Sequence, residues 1–263
     1  MTTSSTLLRR SHGRHRLPAA LLAFAVTAGF MTGCADASPG SPIEASTSTE
    51  SSAPSKATPQ ASGENMTATD QLFAAASANN APAAQAALDA GAELEAADNS
   101  GRTPLVAATK AEATEVAILL LEAGANPNAK DNMQDSAFLY AGAEGLDEIL
   151  VATLAHGADV NSTNRYGGTA LIPASEHGYV STVAILIDAG VPVDHINNLS
   201  WNALHEAIVL GNGSAEHIET VRLLINAGAD VTIPDGAGVS PRELASSRGY
   251  QAIMDLIDGA LAH

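Results

Sequence analysis

Apolar residues recur along this chain with two periods at once. Within short stretches they fall three and four residues apart, as on one face of a helix. Over longer distances the pattern repeats every 33 residues: Gly91, Gly124, Gly157 and Gly190 each close an apolar run, LDAG, LEAG, LAHG and IDAG. The same interval connects Leu72, Leu105, Phe138, Leu171 and Leu204, and it connects Ala75, Ala108, Ala141, Ala174 and Ala207, with Ala245 joining once a five-residue insertion is allowed for. A position that takes only alanine is one where two helices cross too closely for a larger side chain. The period is therefore structural, and the chain reads as a repeat array.

Each unit predicts two short helices. In the second, Thr103 caps, Pro104 suits the first helical position, and Leu105, Ala107 and Ala108 supply an apolar face. The next helix runs from about Thr114 to Ala123 with Val116, Leu119 and Leu120 inward, and Gly124 ends it in a left-handed conformation. The capping column reads Asp70, Thr103, Ser136, Thr169, Asn202 and Ser240. Helices of at most about three turns do not persist alone in water, so every unit must bury its apolar side against its neighbours. In the last unit the Leu72 column becomes Arg242 and the Leu88–Leu121–Leu154–Ile187–Ile225 column becomes Asp258. Polar replacements there suit the end of a stack that meets water.

Thr103-Pro104-Leu105 with Ala107-Ala108, and then Leu119-Leu120-Leu121-Glu122-Ala123-Gly124-Ala125-Asn126, resemble the ankyrin repeat, as do the turns Gly157-Ala158-Asp159-Val160-Asn161 and Gly228-Ala229-Asp230-Val231. The resemblance covers roughly residues 65–263. It implies an all-α solenoid of about six units, near 65–97, 98–130, 131–163, 164–196, 197–234 and 235–263, within a domain spanning 67–263. Two departures stand out. The histidine of the family motif survives only as His205, and Pro173 falls inside a first helix, where it should remove a backbone bond or force a kink.

The first 33 residues carry Arg9, Arg10, Arg14 and Arg16, no acidic residue, and an apolar run from Leu17 to Met31. That is the composition of a secretory signal, with a run too short to span a bilayer comfortably. Met31-Thr32-Gly33-Cys34 resembles a bacterial lipobox, which makes Cys34, the only cysteine, the expected lipidation site. Residues 34–66 are rich in Ser, Thr, Ala and Pro and predict a disordered tether of roughly 30 Å average span. The expectation is an exported protein, lipid-anchored on the extracytoplasmic side, in the periplasm or at the cell surface.

Removing the signal leaves 8 Lys and Arg against 29 Asp and Glu, a formal charge of −21. Nucleic acid is disfavoured as a partner, because its affinity comes from neutralising phosphates with basic residues. A basic protein or peptide would instead be steered in. Catalytic or metal constellations with convincing spacing are absent: His195, His205 and His217 fall on three different elements, and no nucleophile-elbow, zincin or phosphate-loop motif appears. The chain is read as a non-enzyme without a cofactor, and as a monomer.

In ankyrin-like stacks partners are met by the turn tips and by exposed positions along the first helices. Carried onto this sequence, the tips include Arg102, Met133, Asp135, Arg165, Tyr166, Leu199 and Trp201, and the helix positions Lys110, Glu144, Glu176, His177, Val209 and Leu210. Tyr166, Leu199 and Trp201 form the one concentration of large apolar groups at tips in a chain with nine aromatics, a composition suited to a binding hot spot. The insertion, Asn212 to Glu216, is expected to be a loop between the helices of the fifth unit, and Asn212 and Glu216 join the candidate contacts. An alternative is a small-ligand or metal-binding accessory using the acidic groove with His177 or His217. A hidden enzyme would need convergent, perturbed carboxylates, and the surroundings of Pro173, Glu176 and His177 are the place to look.

Overall fold

The computed structural model describes residues 66–262, so the signal, Cys34 and the linker to residue 65 lie outside the described part. Among the described residues there are twelve α-helices and no strand. They come in antiparallel pairs: α1 (Ala68–Ala78) with α2 (Ala81–Asp89), α3 (Pro104–Lys110) with α4 (Thr114–Glu122), α5 (Ala137–Glu144) with α6 (Asp147–Ala155), α7 (Leu171–His177) with α8 (Val180–Asp188), α9 (Ala203–Val209) with α10 (Ala215–Asn226), and α11 (Pro241–Ser247) with α12 (Gln251–Leu261). Odd-numbered helices stack on odd-numbered helices, and even-numbered on even-numbered, in two continuous rows.

The periodic columns form the seams of these rows. The leucine-type column Leu72, Leu105, Phe138, Leu171 and Leu204 is fully buried, as are five of the six column alanines, with Ala75 nearly so. Within the odd-numbered row, α5 and the start of α7 approach so closely that a Cβ on Gly142 would lie 2.8 Å from the Cβ of Ala170. At the far end both polar replacements are exposed and meet each other, Arg242 Nη2 donating to Asp258 Oδ2 at 2.9 Å. The terminal unit thus converts two core columns into one surface ion pair.

Every second helix that precedes a tip ends the same way. In the second unit Gly124 takes φ +96° and the Ala125 N–H reaches back to the Leu120 carbonyl at 2.9 Å, which satisfies an otherwise orphaned acceptor. No neighbour crowds the missing Cβ, so glycine is required there for its backbone conformation alone.

Two members of the expected capping column behave differently. The first helix starts early, at Thr67, whose hydroxyl accepts from the Asp70 N–H at 3.1 Å while the Asp70 carboxylate accepts from the Thr67 N–H at 3.0 Å. Asp70 is therefore the answering half of a capping box rather than the cap. Thr169 fails for a reason carried by Pro173. In the other inner units the fourth residue after the cap donates to the cap carbonyl, as Ala107 does to Thr103 and Glu206 to Asn202. Pro173 has no N–H to give. The Ile172 N–H, which elsewhere takes the cap side chain, instead bonds the Thr169 carbonyl at 3.2 Å, and the buried Thr169 hydroxyl is left without a partner. Thr103→Val should consequently cost about 1 kcal/mol in urea unfolding, because its hydroxyl caps Val106, whereas Thr169→Val should be neutral or slightly stabilising. Equal losses at the two sites would contradict this account.

The insertion also differs from expectation. Only Leu210 to Ser214 are non-helical; Ala215 and Glu216 open α10, which has 12 residues where the inner second helices α4, α6 and α8 have 9. The extra turn places His217 where a tyrosine sits in the neighbouring units. The Tyr179 ring lies on Gly145, the His217 ring on Gly178, and the Tyr250 ring on Gly213. His217 is buried, with Nε2 2.9 Å from the Glu176 carbonyl and Nδ1 3.1 Å from the Ser214 hydroxyl. Nε2 thus ties the fifth unit to the fourth and Nδ1 meets the cap of its own helix, so both ring nitrogens are engaged within the fold. Among the described residues no group of three or more His, Cys, Asp and Glu side chains is placed to hold a metal ion.

Candidate interaction groove

Five tips are built by one device that recurs with the period. Asp98, Asp131, Asn164, Asn197 and Asp235 each open a tip and accept two backbone N–H bonds through a single side-chain oxygen. Asp131 Oδ1, for example, receives Met133 at 2.8 Å and Asp135 at 3.0 Å, and Asn197 Oδ1 receives Leu199 at 2.9 Å and Trp201 at 3.1 Å. Such an Asx turn leaves the second side-chain atom free to point at the first helices. What that atom is decides the local chemistry.

At Asp131 it is a carboxylate oxygen, and Lys110 from α3 meets it at 2.6 Å and Asp135 at 2.8 Å. Burial alone would raise the Asp131 carboxyl, but the bonds from Lys110, Asp135 and Met133 outweigh it and hold it below the usual range. The Lys110 ammonium, discouraged by burial, is nonetheless held above its usual range by the two carboxylates, and it sits 5.2 Å from the centre of the Tyr140 ring.

At Asn197 the second atom is an amide nitrogen, which donates to Glu206 Oε1 at 3.0 Å. Glu206 stands on α9 in the groove-floor column Ala107, Tyr140, Pro173, Glu206, Leu244, where it is the one charged residue. It is only 5 % exposed. Burial, reinforced by the nearby Glu176 carboxylate and opposed by the Asn197 bond, pushes its carboxyl up to about 7. An aspartate at 197 would set two carboxylates against each other, so the amide is what permits a glutamate there.

These groups border a hollow of about 370 Å³ that runs across the third to fifth units. Asp135, Glu144, Glu176 and Glu206 supply its acid, Arg165 its one lining cation, and Tyr140, Tyr166, Ile172, Pro173, Leu199 and Leu210 its apolar wall. The Arg165 guanidinium lies 4.5 Å from the centre of the Tyr166 ring. Above the hollow, Met133, Tyr166 and Leu199 occupy equivalent tip positions 33 residues apart and are 50, 54 and 59 % exposed. They form a stepped apolar ridge on three consecutive units. The same position is Ser100 in the second unit and Ala237 in the last, so the ridge is confined to the units that frame the hollow.

Of the residues singled out from the sequence, Arg165, Tyr166, Glu176 and Leu199 converge on this hollow. Trp201 does not line it and is half-buried, with its backbone tied to Asn197. His177 is exposed beside the hollow and its ring lies 5.3 Å from that of Tyr179. Asn212 and Glu216 are exposed at the insertion, away from the lining residues. Sequence reasoning missed Glu206 and Asn197. The available signal was positional: a glutamate in an otherwise uncharged floor column, and an asparagine in a column that also holds aspartate.

Stacked helix pairs with Asx-turn tips define a helical repeat solenoid. The chain matches the family described as ankyrin repeats (3 copies) over residues 57–131 and 138–235, and it belongs to that family. An ankyrin repeat domain from Acinetobacter baumannii AYE, solved by crystallography, is similar at 50 % identity and a TM-score of 0.70, covering 72 % of this chain and 96 % of that one. The crystal structure of the ankyrin repeat protein EF0377 matches at 35 % identity and a TM-score of 0.69, over 72 % of this chain and 97 % of that one. The Escherichia coli K12 protein YahD, named as an ankyrin repeat protein, is 39 % identical over 64 residues, 24 % of this chain and about a third of its own length.

Proposed function

We propose that this chain is a non-catalytic interaction module which binds a protein partner through the groove and tip ridge of its third to fifth units. Ankyrin repeats generally serve as protein–protein interaction modules. The observation that carries the reading here is the coincidence of the Met133–Tyr166–Leu199 ridge with the lined hollow beside it. Exposed apolar groups of this size, rimmed by charge, are the usual composition of an interface core. The acidic groove and the strongly negative chain favour a basic partner. We further propose that the array is tethered outside the cytoplasm through lipidated Cys34, on the strength of the signal-like front and the lipobox-like sequence before that residue.

The test is recovery of a specific protein from envelope extract by the full chain, followed by Tyr166→Ala with Leu199→Ala. The double variant should weaken that complex at least about tenfold, since large side chains at interface centres commonly carry more than 1 kcal/mol each. An unchanged affinity would move the interface elsewhere. Metabolic labelling with a fatty acid should mark the wild-type chain and not Cys34→Ser; equal labelling would remove the anchor.

A further inference from the structure

We propose that the hollow beside Glu206 is a receptor for a lysine side chain presented by an extended segment of the partner protein. This rests on the reading of the array as a protein-binding module and specifies what the groove takes.

The molecule treats two buried carboxylates differently. Two first helices project acid or base toward the groove from equivalent positions: Lys110 on α3 and Glu176 on α7, with Ala143 and Val209 at the same register on α5 and α9. At the second and third units the buried carboxylate of Asp131 receives its cation from within, because Lys110 reaches the tip and its ammonium sits over the Tyr140 ring. At the fourth and fifth units a carboxylate of similar depth, Glu206, faces Glu176 where a lysine would repeat the arrangement. The fold neutralises the first site itself and leaves the second without a cation.

Glu206 is also half-satisfied: Oε1 accepts from Asn197, while Oε2 takes no hydrogen bond among the described residues, and Glu206 is one of the residues lining the hollow. Withdrawing a carboxylate from water in this state is costly, and an ammonium arriving from outside would remove the cost. One free oxygen suits the compact ammonium of lysine better than the fork of arginine, which needs two parallel acceptors. Ile172, Pro173 and Leu210 offer an apolar wall for the four-carbon stem, and the ridge above offers successive apolar steps to a chain laid along the tips.

Charged and titratable groups line the hollow around this carboxylate. Glu176 comes from α7, Tyr140 and Glu144 from α5, and Asp135 and Arg165 from the tips. His217 of α10 is turned to the Glu176 carbonyl, and on α11 Arg242 and Glu243 are engaged by Asp258 and Ser240. Glu206 is the member of this set whose proton is held to about pH 7, so seating an ammonium must expel that proton. Affinity should accordingly rise with pH between 6 and 8.

The experiment is selection of a displayed random heptapeptide library on the full chain, with the selected peptide then measured by calorimetry. The expected peptides carry one fixed lysine flanked by apolar positions. Replacing that lysine by norleucine, or Glu206 by Gln, should weaken binding about tenfold or more, and arginine should weaken it less. Wild-type affinity should increase about tenfold from pH 6 to 8, and the Glu206→Gln chain should show no such increase. Peptides selected without lysine, an unchanged affinity for Glu206→Gln, or binding by free cadaverine as tight as by the peptide would each overturn the assignment. In the first two cases the envelope pull-down and the Tyr166→Ala, Leu199→Ala variant still report independently on the module itself.

Discussion

Phe138→Ala should lower the unfolding free energy by about 3–5 kcal/mol and break the array at its middle. Phe138 is the largest fully buried side chain among the described residues, and it sits on α5, which contacts α3 on one side and α7 on the other. Emptying its site weakens both interfaces at once, with little room to collapse because the alanine seam already holds the helices at their closest spacing. A stack has no contacts that skip a unit, so the flanking pairs would lose their coupling rather than share the damage. Hydrogen exchange should show protection lost across α3 to α8. Leu72→Ala, at the same register on α1, should instead expose α1 and α2 and leave the later units protected, since a terminal pair can fray alone. A change below about 1 kcal/mol for Phe138→Ala, or identical exchange maps for the two variants, would mean that the column is not the seam of the stack.

The same columns explain what could be read from the chain before its structure. Leu72 through Leu204 and Ala75 through Ala245 were legible because packing demands the same residue at every crossing, and a demand repeated six times leaves a period. Groups that respond to a neighbour rather than to the period were not legible. Asp70 falls on the capping ruler yet serves Thr67, because the first described helix starts three residues early. Thr169 falls on it too, but Pro173 removes the bond that would have brought its hydroxyl into place. The insertion could be counted but not assigned, since a five-residue excess lengthens a loop or a helix equally well; here the serine at 214 caps a longer α10. Arg165, Tyr166, Glu176 and Leu199 were found from the tip and helix registers. Glu206 was not, because whether a glutamate is solvated or buried depends on the asparagine nine residues before it and on a helix from the previous unit.

Glu206→Gln should stabilise the chain at pH 8 and leave it unchanged at pH 4, a result opposite to what loss of a buried, hydrogen-bonded side chain normally gives. The sign follows from linkage. In the unfolded chain this carboxyl ionises near 4.5, whereas folded it holds its proton to about 7. Below pH 4.5 both states are protonated and the residue carries no penalty. Between 4.5 and 7 the unfolded chain sheds its proton first, so stability falls as pH rises through that window, and above 7 the loss is complete. The shift corresponds to a penalty on the order of 3 kcal/mol. A neutral amide of the same shape keeps an oxygen for Asn197 Nδ2 and has nothing to ionise. Urea unfolding at the two pH values would measure the difference; equal stabilities of wild type and variant at pH 8 would mean that Glu206 is better solvated than its burial indicates. Asp131 works in the other direction, its lowered carboxyl costing stability only as acid protonates it and breaks the Lys110 contact, so the wild-type profile should peak in mildly acid solution. A residue that lowers stability at neutral pH, in a column where Ala, Tyr, Pro and Leu serve elsewhere, is what the proposed lysine receptor requires and what folding alone would not select.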